Sequence, residues 1–300
     1  MGHLRCLDAA TGELEWDVLL TEKYETEPPR WGYASHPFVH DGLVYVLAGG
    51  KGSVVVAFDA ATGKEQWRAL NAATQGYCPL SLIHAAGVDQ LLAWHPESLN
   101  SLNPKTGEVY WSKKLKPSWG VATAVPRLQG DQLFVSGPGY IAGLLELSKD
   151  KPAATFLWRG KPKSAVYAVN TTPFVDGDMI YGADVETSAF MGVDLATGKR
   201  VWETKKPVLA PDAPPRARHG TAFIVKHEPS GRFFLYNENG ELIIANLSRD
   251  SYTEISRASL LKPTNEAFGR PVVWSHPAFA HKSVFVRNDK ELIRADLSRP

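Results

Sequence analysis

Two Ser-His-Pro triplets, Ser35-His36-Pro37 and Ser275-His276-Pro277, put an imidazole in the same short phrase near the two ends of the chain. Arg218-His219-Gly220-Thr221 supplies a third. With carboxylates near, His36, His219 and His276 could bind a transition metal, because neutral imidazole and carboxylate oxygen are common ligands. The competing reading is that each ring satisfies backbone carbonyls at a strand end. His95 and Glu97, followed by Ser98, are acid–base material, although their setting also reads as a hairpin loop. A third set suits ring-shaped ligands: Trp31, Tyr33, Trp119 and Trp274 could stack on a sugar or quinone, while Arg218 and Arg270 hold an anion. Gly137-Pro138-Gly139 with Gly143 is glycine-rich, but no helix follows to bind a phosphate. Neither HExxH nor G-x-S-x-G occurs.

What must position these residues is a repeat. Asp59-Ala60-Ala61-Thr62-Gly63 runs on to Trp67, and the phrase recurs from Asp8 to Trp16, Asn103 to Trp111 and Asp194 to Trp202. The clearest unit spans His36 to Leu70. Pro37 to His40 is a short apolar stretch, Asp41-Gly42 a turn, and Leu43 to Leu47 strand-like. A Gly-rich turn, the β-branched run Val54 to Phe58, the Asp59–Gly63 turn and a strand around Trp67 follow. In the Asp-x-x-Thr-Gly turn, Asp accepts from amides two or three residues on, and Gly supplies a positive φ. The Trp is expected to wedge against the neighbouring repeat, its indole N–H seeking an acceptor there.

The same rhythm covers Tyr77–Leu115, Ala122–Trp158, Asn170–Thr204 and His219–Ile255, with three strands in Ser275–Leu297 and two in Leu4–Leu20. Four-stranded units at a period of about 44 to 52 residues predict an all-β chain: a β-propeller of four-stranded antiparallel blades, six or seven in number. Five are complete. Glu13–Leu20 could supply the outer strand missing from the last unit and so remove an open edge. The chain reads as one propeller domain over residues 1–300, and its start in mid-repeat suggests an upstream segment.

Composition narrows the function classes. A formal charge of +1 over 300 residues argues against a nucleic-acid surface. No apolar run reaches the ~18 residues of a membrane span, and Met1-Gly2-His3-Leu4-Arg5 does not open a signal peptide. Cys6 and Cys78 read as two buried thiols rather than a disulfide.

Ala57-Phe58-Asp59 through Gly63 to Trp67 resembles the docking motif of pyrroloquinoline-quinone (PQQ) type propeller repeats. That group takes in quinoprotein alcohol dehydrogenases and BamB-like propellers. His95-Pro96-Glu97-Ser98-Leu99-Asn100 and Asn265 to Pro271 are similar to PQQ-like propellers of planctomycete-type bacteria. The resemblance implies a periplasmic or other extracytoplasmic location. For the dehydrogenases it implies a quinone stacked on a vicinal Cys-Cys disulfide beside Ca²⁺ and a catalytic Asp. Here Cys6 and Cys78 are not adjacent, and no Asp aligns with the catalytic one.

In a propeller the loops leading into each blade's first strand, and those between strands two and three, share a face. The first set carries Trp31, His36, Trp119, Asn170, Arg218, His219, Arg270, Trp274 and His276. The second carries His95, Glu97, Asp184, Glu186, Asn237, Glu238, Asn288 and Asp289. Two functions compete for this face. The first is a non-catalytic propeller, without cofactor, binding a protein partner or small polar ligand. The second is a quinoprotein-like oxidoreductase or other enzyme using PQQ with Ca²⁺, or another metal.

Overall fold

The computed structural model describes residues 1–214 and 217–298. Its strands fall where alternation and turn chemistry put them. Five sheets have four antiparallel strands in chain order. The first comprises Phe38–His40, Leu43–Leu47, Val55–Asp59 and Glu65–Ala69; the second, Ser81–Ala85, Val88–His95, Ser98–Leu102 and Val109–Lys114. The third comprises Arg127–Gln129, Gln132–Gly137, Ile141–Leu147 and Ala154–Arg159; the fourth, Phe174–Asp176, Met179–Ala183, Phe190–Asp194 and Arg200–Thr204. The fifth comprises Ala222–His227, Arg232–Asn237, Glu241–Leu247 and Tyr252–Ser259. These are propeller blades. The chain forms two compact units, Met1–Ile141 with Leu145–Leu157, and Ala142–Leu144 with Trp158–Pro300.

The central strands read as unbroken apolar runs because both of their faces are buried. In the first sheet Val44, Val46, Val56 and Phe58 pack towards Leu4, Leu20 and Tyr24. Their neighbours in sequence, Tyr45, Leu47, Val55 and Ala57, pack towards Leu80 and towards Leu91, Ala93 and Leu102 of the second sheet. Successive side chains of a strand point to opposite faces, so one run serves two cores. Each large apolar side chain so buried contributes about 1.5–3 kcal/mol.

The turns behave as their residues require. Asp59 Oδ1 accepts from Thr62 N at 2.8 Å and Thr62 Oγ1 at 2.7 Å. Asp8 and Asp194 repeat the arrangement. Trp16 donates to Ala60 O at 3.0 Å, Trp67 to Pro104 O at 2.9 Å, Trp158 to Leu195 O at 2.8 Å and Trp202 to Ser248 O at 3.1 Å. In the first three cases the acceptor is the second residue of the next Asp/Asn turn. The glycine of that turn has a second duty. A Cβ on Gly63, Gly107 or Gly198 would lie 2.7, 2.5 or 3.0 Å from the ring of Trp16, Trp67 or Trp158. The glycine is therefore the seat on which the preceding blade's indole lies.

Trp111 departs from the expected rule. It donates within its own sheet to Gln90 Oε1 at 3.0 Å, an oxygen that also accepts from Ser101 Oγ at 2.8 Å. Gln90 is buried and donates through Nε2 to Ala85 O at 3.1 Å.

The chain ends carry the two and three strands that the repeat assigned to them. Leu14–Leu19 pairs with His3–Leu7 in a two-stranded sheet, and Ala278–Ala280, Ser283–Arg287 and Leu292–Asp296 form a three-stranded one. The Asp8–Gly12 turn folds Leu14–Leu19 back on its immediate predecessor, the one strand it is hydrogen-bonded to among the described residues. Asn265–Ala267 and Arg270–Val272 form a hairpin that no repeat announced.

Candidate functional site

In the first unit the candidates do not form one site. Trp31 lies edge-on to Tyr77, ring centres 5.4 Å apart, and the Arg30 guanidinium lies over its ring, 5.1 Å from the centroid. His36 is exposed, and its Nδ1 lies 3.1 Å from Pro37 O. Trp119 is 67% exposed, in the turn Ser118–Gly120, at φ 58. Ser118 N donates to Pro138 O at 3.0 Å, which ties this turn to the loop of Tyr140. Tyr140 also has a positive φ, 62, and is exposed.

His95 and Ser98 form the pair most like catalytic machinery, and hydrogen-bond direction disarms it. Glu97 N donates to His95 Nδ1 at 3.2 Å, so Nδ1 carries no proton. In the neutral ring the proton is then on Nε2, which donates to Ser98 Oγ at 3.1 Å. Ser98 in turn donates to Asn100 Oδ1 at 3.2 Å, and Asn100 Nδ2 donates to Ala93 O and Ser98 O. The imidazole faces the hydroxyl with a proton, so it cannot take one from it. The chain of bonds locks a hairpin.

Burial lowers the His95 pKa below the usual 6.5, the Glu97 charge opposing this. The unfolded chain therefore takes up a proton first. The stabilisation from neutral His95 is complete above about pH 6.5 and is lost as pH falls through the lower folded value. Urea unfolding at pH 7.5 and pH 5.5 is expected to show stability falling on acidification, with a smaller fall in His95→Asn. An equal pH slope in both proteins would refute the assignment.

The second unit does gather its candidates, around Glu238. This carboxylate is 1% exposed. Its Oε1 accepts from Arg270 Nε at 2.5 Å; its Oε2 accepts from Thr221 N at 3.0 Å and Arg270 Nη2 at 3.2 Å. Trp274 Nε1 lies 3.5 Å from the same Oε2. Arg270 Nη2 also donates to Arg218 O, and the Arg218 side chain pairs with Glu186. Asn170 Nδ2 donates to His219 O at 3.1 Å and Thr221 Oγ1 at 2.9 Å. His219 stacks flat on Phe268, the hairpin tip, with ring centres 4.3 Å apart and an interplanar angle of 4°. Burial, then the Arg218 charge, lowers the His219 pKa. His276 instead packs against Phe223, ring centres 4.1 Å apart.

Both Glu238 oxygens thus accept hydrogen bonds and Arg270 is neutralised by the carboxylate, although its buried Nη1 has no partner among the described residues. The cluster joins five chain segments, around Asn170, Glu186, Arg218–Thr221, Glu238 and Phe268–Trp274, but leaves neither a free base nor an unpaired cation to hold an anion. Among the described residues no group of three or more His, Cys, Asp or Glu is placed to hold a metal ion. His36, His219 and His276 are engaged separately, two of them on phenylalanine rings.

The family described as outer membrane protein assembly factor BamB matches residues 1–204 and again 95–299. The chain belongs to this family. The BamB of Burkholderia pseudomallei is 31% identical over 187 residues, covering 57% of this chain and 45% of that protein. The chain thus spans under half the length of this curated relative. Among solved structures, BamB from Moraxella catarrhalis superposes with a TM-score of 0.64 at 14% identity, covering 98% of this chain and 76% of that one. The quinohemoprotein alcohol dehydrogenase of Comamonas testosteroni gives 0.52 at 13% identity, over 85% and 51%. At these identities the two structures share the fold.

The residues of this BamB-family chain do not fit a quinone platform. Cys6 and Cys78 are both free. Cys78 is buried as expected, and burial pushes its thiol up to about 12, whereas Cys6 is only partly buried. Among the described residues no helix is long and apolar enough to cross a membrane.

Sequence reasoning named Glu238 and Glu186 by position but did not see their pairing with Arg270 and Arg218. Phe268 entered it only inside the Asn265–Pro271 phrase, with no role at the site. The signal was Phe268-Gly269, a turn pair between two three-residue extended stretches.

Proposed function

We propose that the chain is a non-catalytic binding propeller. It presents aromatic loops to a protein partner in outer-membrane protein assembly, on the extracytoplasmic side of the cell. Family membership supports the assembly role, and the extracytoplasmic side follows from it. Trp119 carries the binding role. An indole held two-thirds exposed in left-handed backbone costs about 1–2 kcal/mol in conformation and returns nothing to the core. Such rings are what binding hot spots are made of. The committed His95 ring and the Glu238–Arg270 ion pair favour this reading over catalysis.

The test is cross-linked capture from an envelope extract, comparing the wild-type chain with Trp119→Ala. Since the ring is exposed, melting should be unchanged. Loss of a hot spot of about 2 kcal/mol weakens capture roughly thirtyfold. Equal capture by both proteins would remove Trp119 from the interface. A thermal shift with PQQ and Ca²⁺ would revive the oxidoreductase alternative.

A further inference from the structure

The sequence offered Trp274 as a stacking platform, with Arg218 and Arg270 to hold a ligand beside it. Carboxylates consume both arginines. A different arginine stands by Trp274. A cavity of about 300 Å³ is lined by Trp274, Ser275, Asn265, Glu266, Arg287 and Asp289. Arg287 has no ion pair or side-chain hydrogen bond among the described residues, and neither has the Glu266 carboxylate. Asn265 uses only its Oδ1, accepting from Glu266 N at 2.8 Å. Asp289 Oδ2 accepts from Thr264 Oγ1 at 3.2 Å, which leaves its other oxygen. The wall therefore offers donors and acceptors side by side, uncommitted, around one indole.

The platform is held in advance. Val272 and Val273 are buried immediately before Trp274, and Val273 N donates to Glu238 O at 2.7 Å. The indole N–H is directed to the Glu238 carboxylate, and the ring leans on Phe268 with centres 6.1 Å apart. A ligand need not order this side chain, which spares the entropy that weakens binding to floppy sites.

The charge of the wall selects the ligand. One guanidinium faces two carboxylates, so the cavity is net negative and a phosphate or other anion is disfavoured. A ring of hydroxyls satisfies this wall: each hydroxyl can donate to Glu266 or Asp289 and accept from Arg287 or Asn265. The apolar face of the same ring can lie on the indole. We infer that the Trp274–Arg287 cavity is a binding site for a neutral hexopyranose.

The test uses D-glucose, N-acetyl-D-glucosamine and cellotriose as probes of the full chain, read by saturation-transfer NMR and tryptophan fluorescence. We expect saturable binding of at least one, weakened by about tenfold or more, about 1.4 kcal/mol, in both Trp274→Ala and Arg287→Ala, and unchanged in Trp119→Ala. Arg287 is exposed, so its variant is expected to fold even if Trp274→Ala does not. Three results would each overturn the inference: no saturable binding to any probe at about 20 mM, well above ordinary weak-ligand constants; binding indifferent to Arg287→Ala; or preferential binding of inorganic phosphate or N-acetyl-lysinamide at the same residues. Partner capture through Trp119 is unaffected by any of these outcomes.

Discussion

Glu238→Gln is expected to cost about 3–5 kcal/mol, because it strands a buried arginine. Arg270 has 7% side-chain exposure and its only counter-charge among the described residues is the Glu238 carboxylate. Its Nη1 already lacks a partner, so the guanidinium has no spare contact to fall back on. The amide keeps one acceptor oxygen and puts an NH2 donor at the other position, so either Arg270 Nε or the pair Thr221 N and Trp274 Nε1 loses its acceptor. Urea unfolding measures the loss. The double variant Glu238→Leu/Arg270→Met should recover much of it, since replacing both members of a buried pair by apolar groups is often close to neutral. Arg218→Ala provides the contrast: that arginine is half exposed, and its pair with Glu186 is worth about 0–1 kcal/mol. A loss in Glu238→Gln no larger than in Arg218→Ala would show that the cluster holds nothing together.

Gly107→Ala against Gly12→Ala should separate the two duties of the turn glycine. Both residues sit at nearly the same left-handed angle, φ 74 and φ 75. Nothing lies within 4 Å of a Cβ on Gly12, whereas one on Gly107 would sit 2.5 Å from Trp67 Cε3. Gly12→Ala therefore bears the left-handed conformation alone, about 1–2 kcal/mol. Gly107→Ala adds displacement of a docked indole, typically a further 1–3 kcal/mol, and puts at risk the bond from Trp67 to Pro104 O. Denaturant midpoints give the difference, and near-ultraviolet circular dichroism should change only in Gly107→Ala. Equal losses in the two variants would mean that the glycine serves backbone conformation only.

Much of the fold was legible because its determinants are local. Asp59 and Thr62 close their turn within four residues, and the runs Leu43–Leu47 and Val55–Asp59 announce strands covered on both faces. The indole joints were legible in kind, since a buried N–H must find an acceptor. The exception at Trp111 was not, because its acceptor Gln90 lies 21 residues back and looks like a polar break in an apolar strand. The hairpin of Asn265–Val272 was missed because three-residue strands are too short to show alternation. At the candidate site, chain position brought Arg270 and Glu238 into view. Their pairing spans 32 residues and leaves no trace in spacing. The inert tautomer of His95 depends on which way one backbone N–H points, and that is a property of the folded hairpin.

The indole joints give the blades a direction of dependence. Trp16, Trp67 and Trp158 each sit on a glycine that belongs to the following turn. A lesion in one turn is therefore felt by the blade before it, so damage travels towards the N-terminus. Trp111 stands outside this order, because Gln90 of its own sheet accepts its N–H. The seam between the second and third sheets is held by apolar packing alone as far as its tryptophan is concerned. An evolving chain could insert, lose or exchange a repeat at that seam without orphaning an indole.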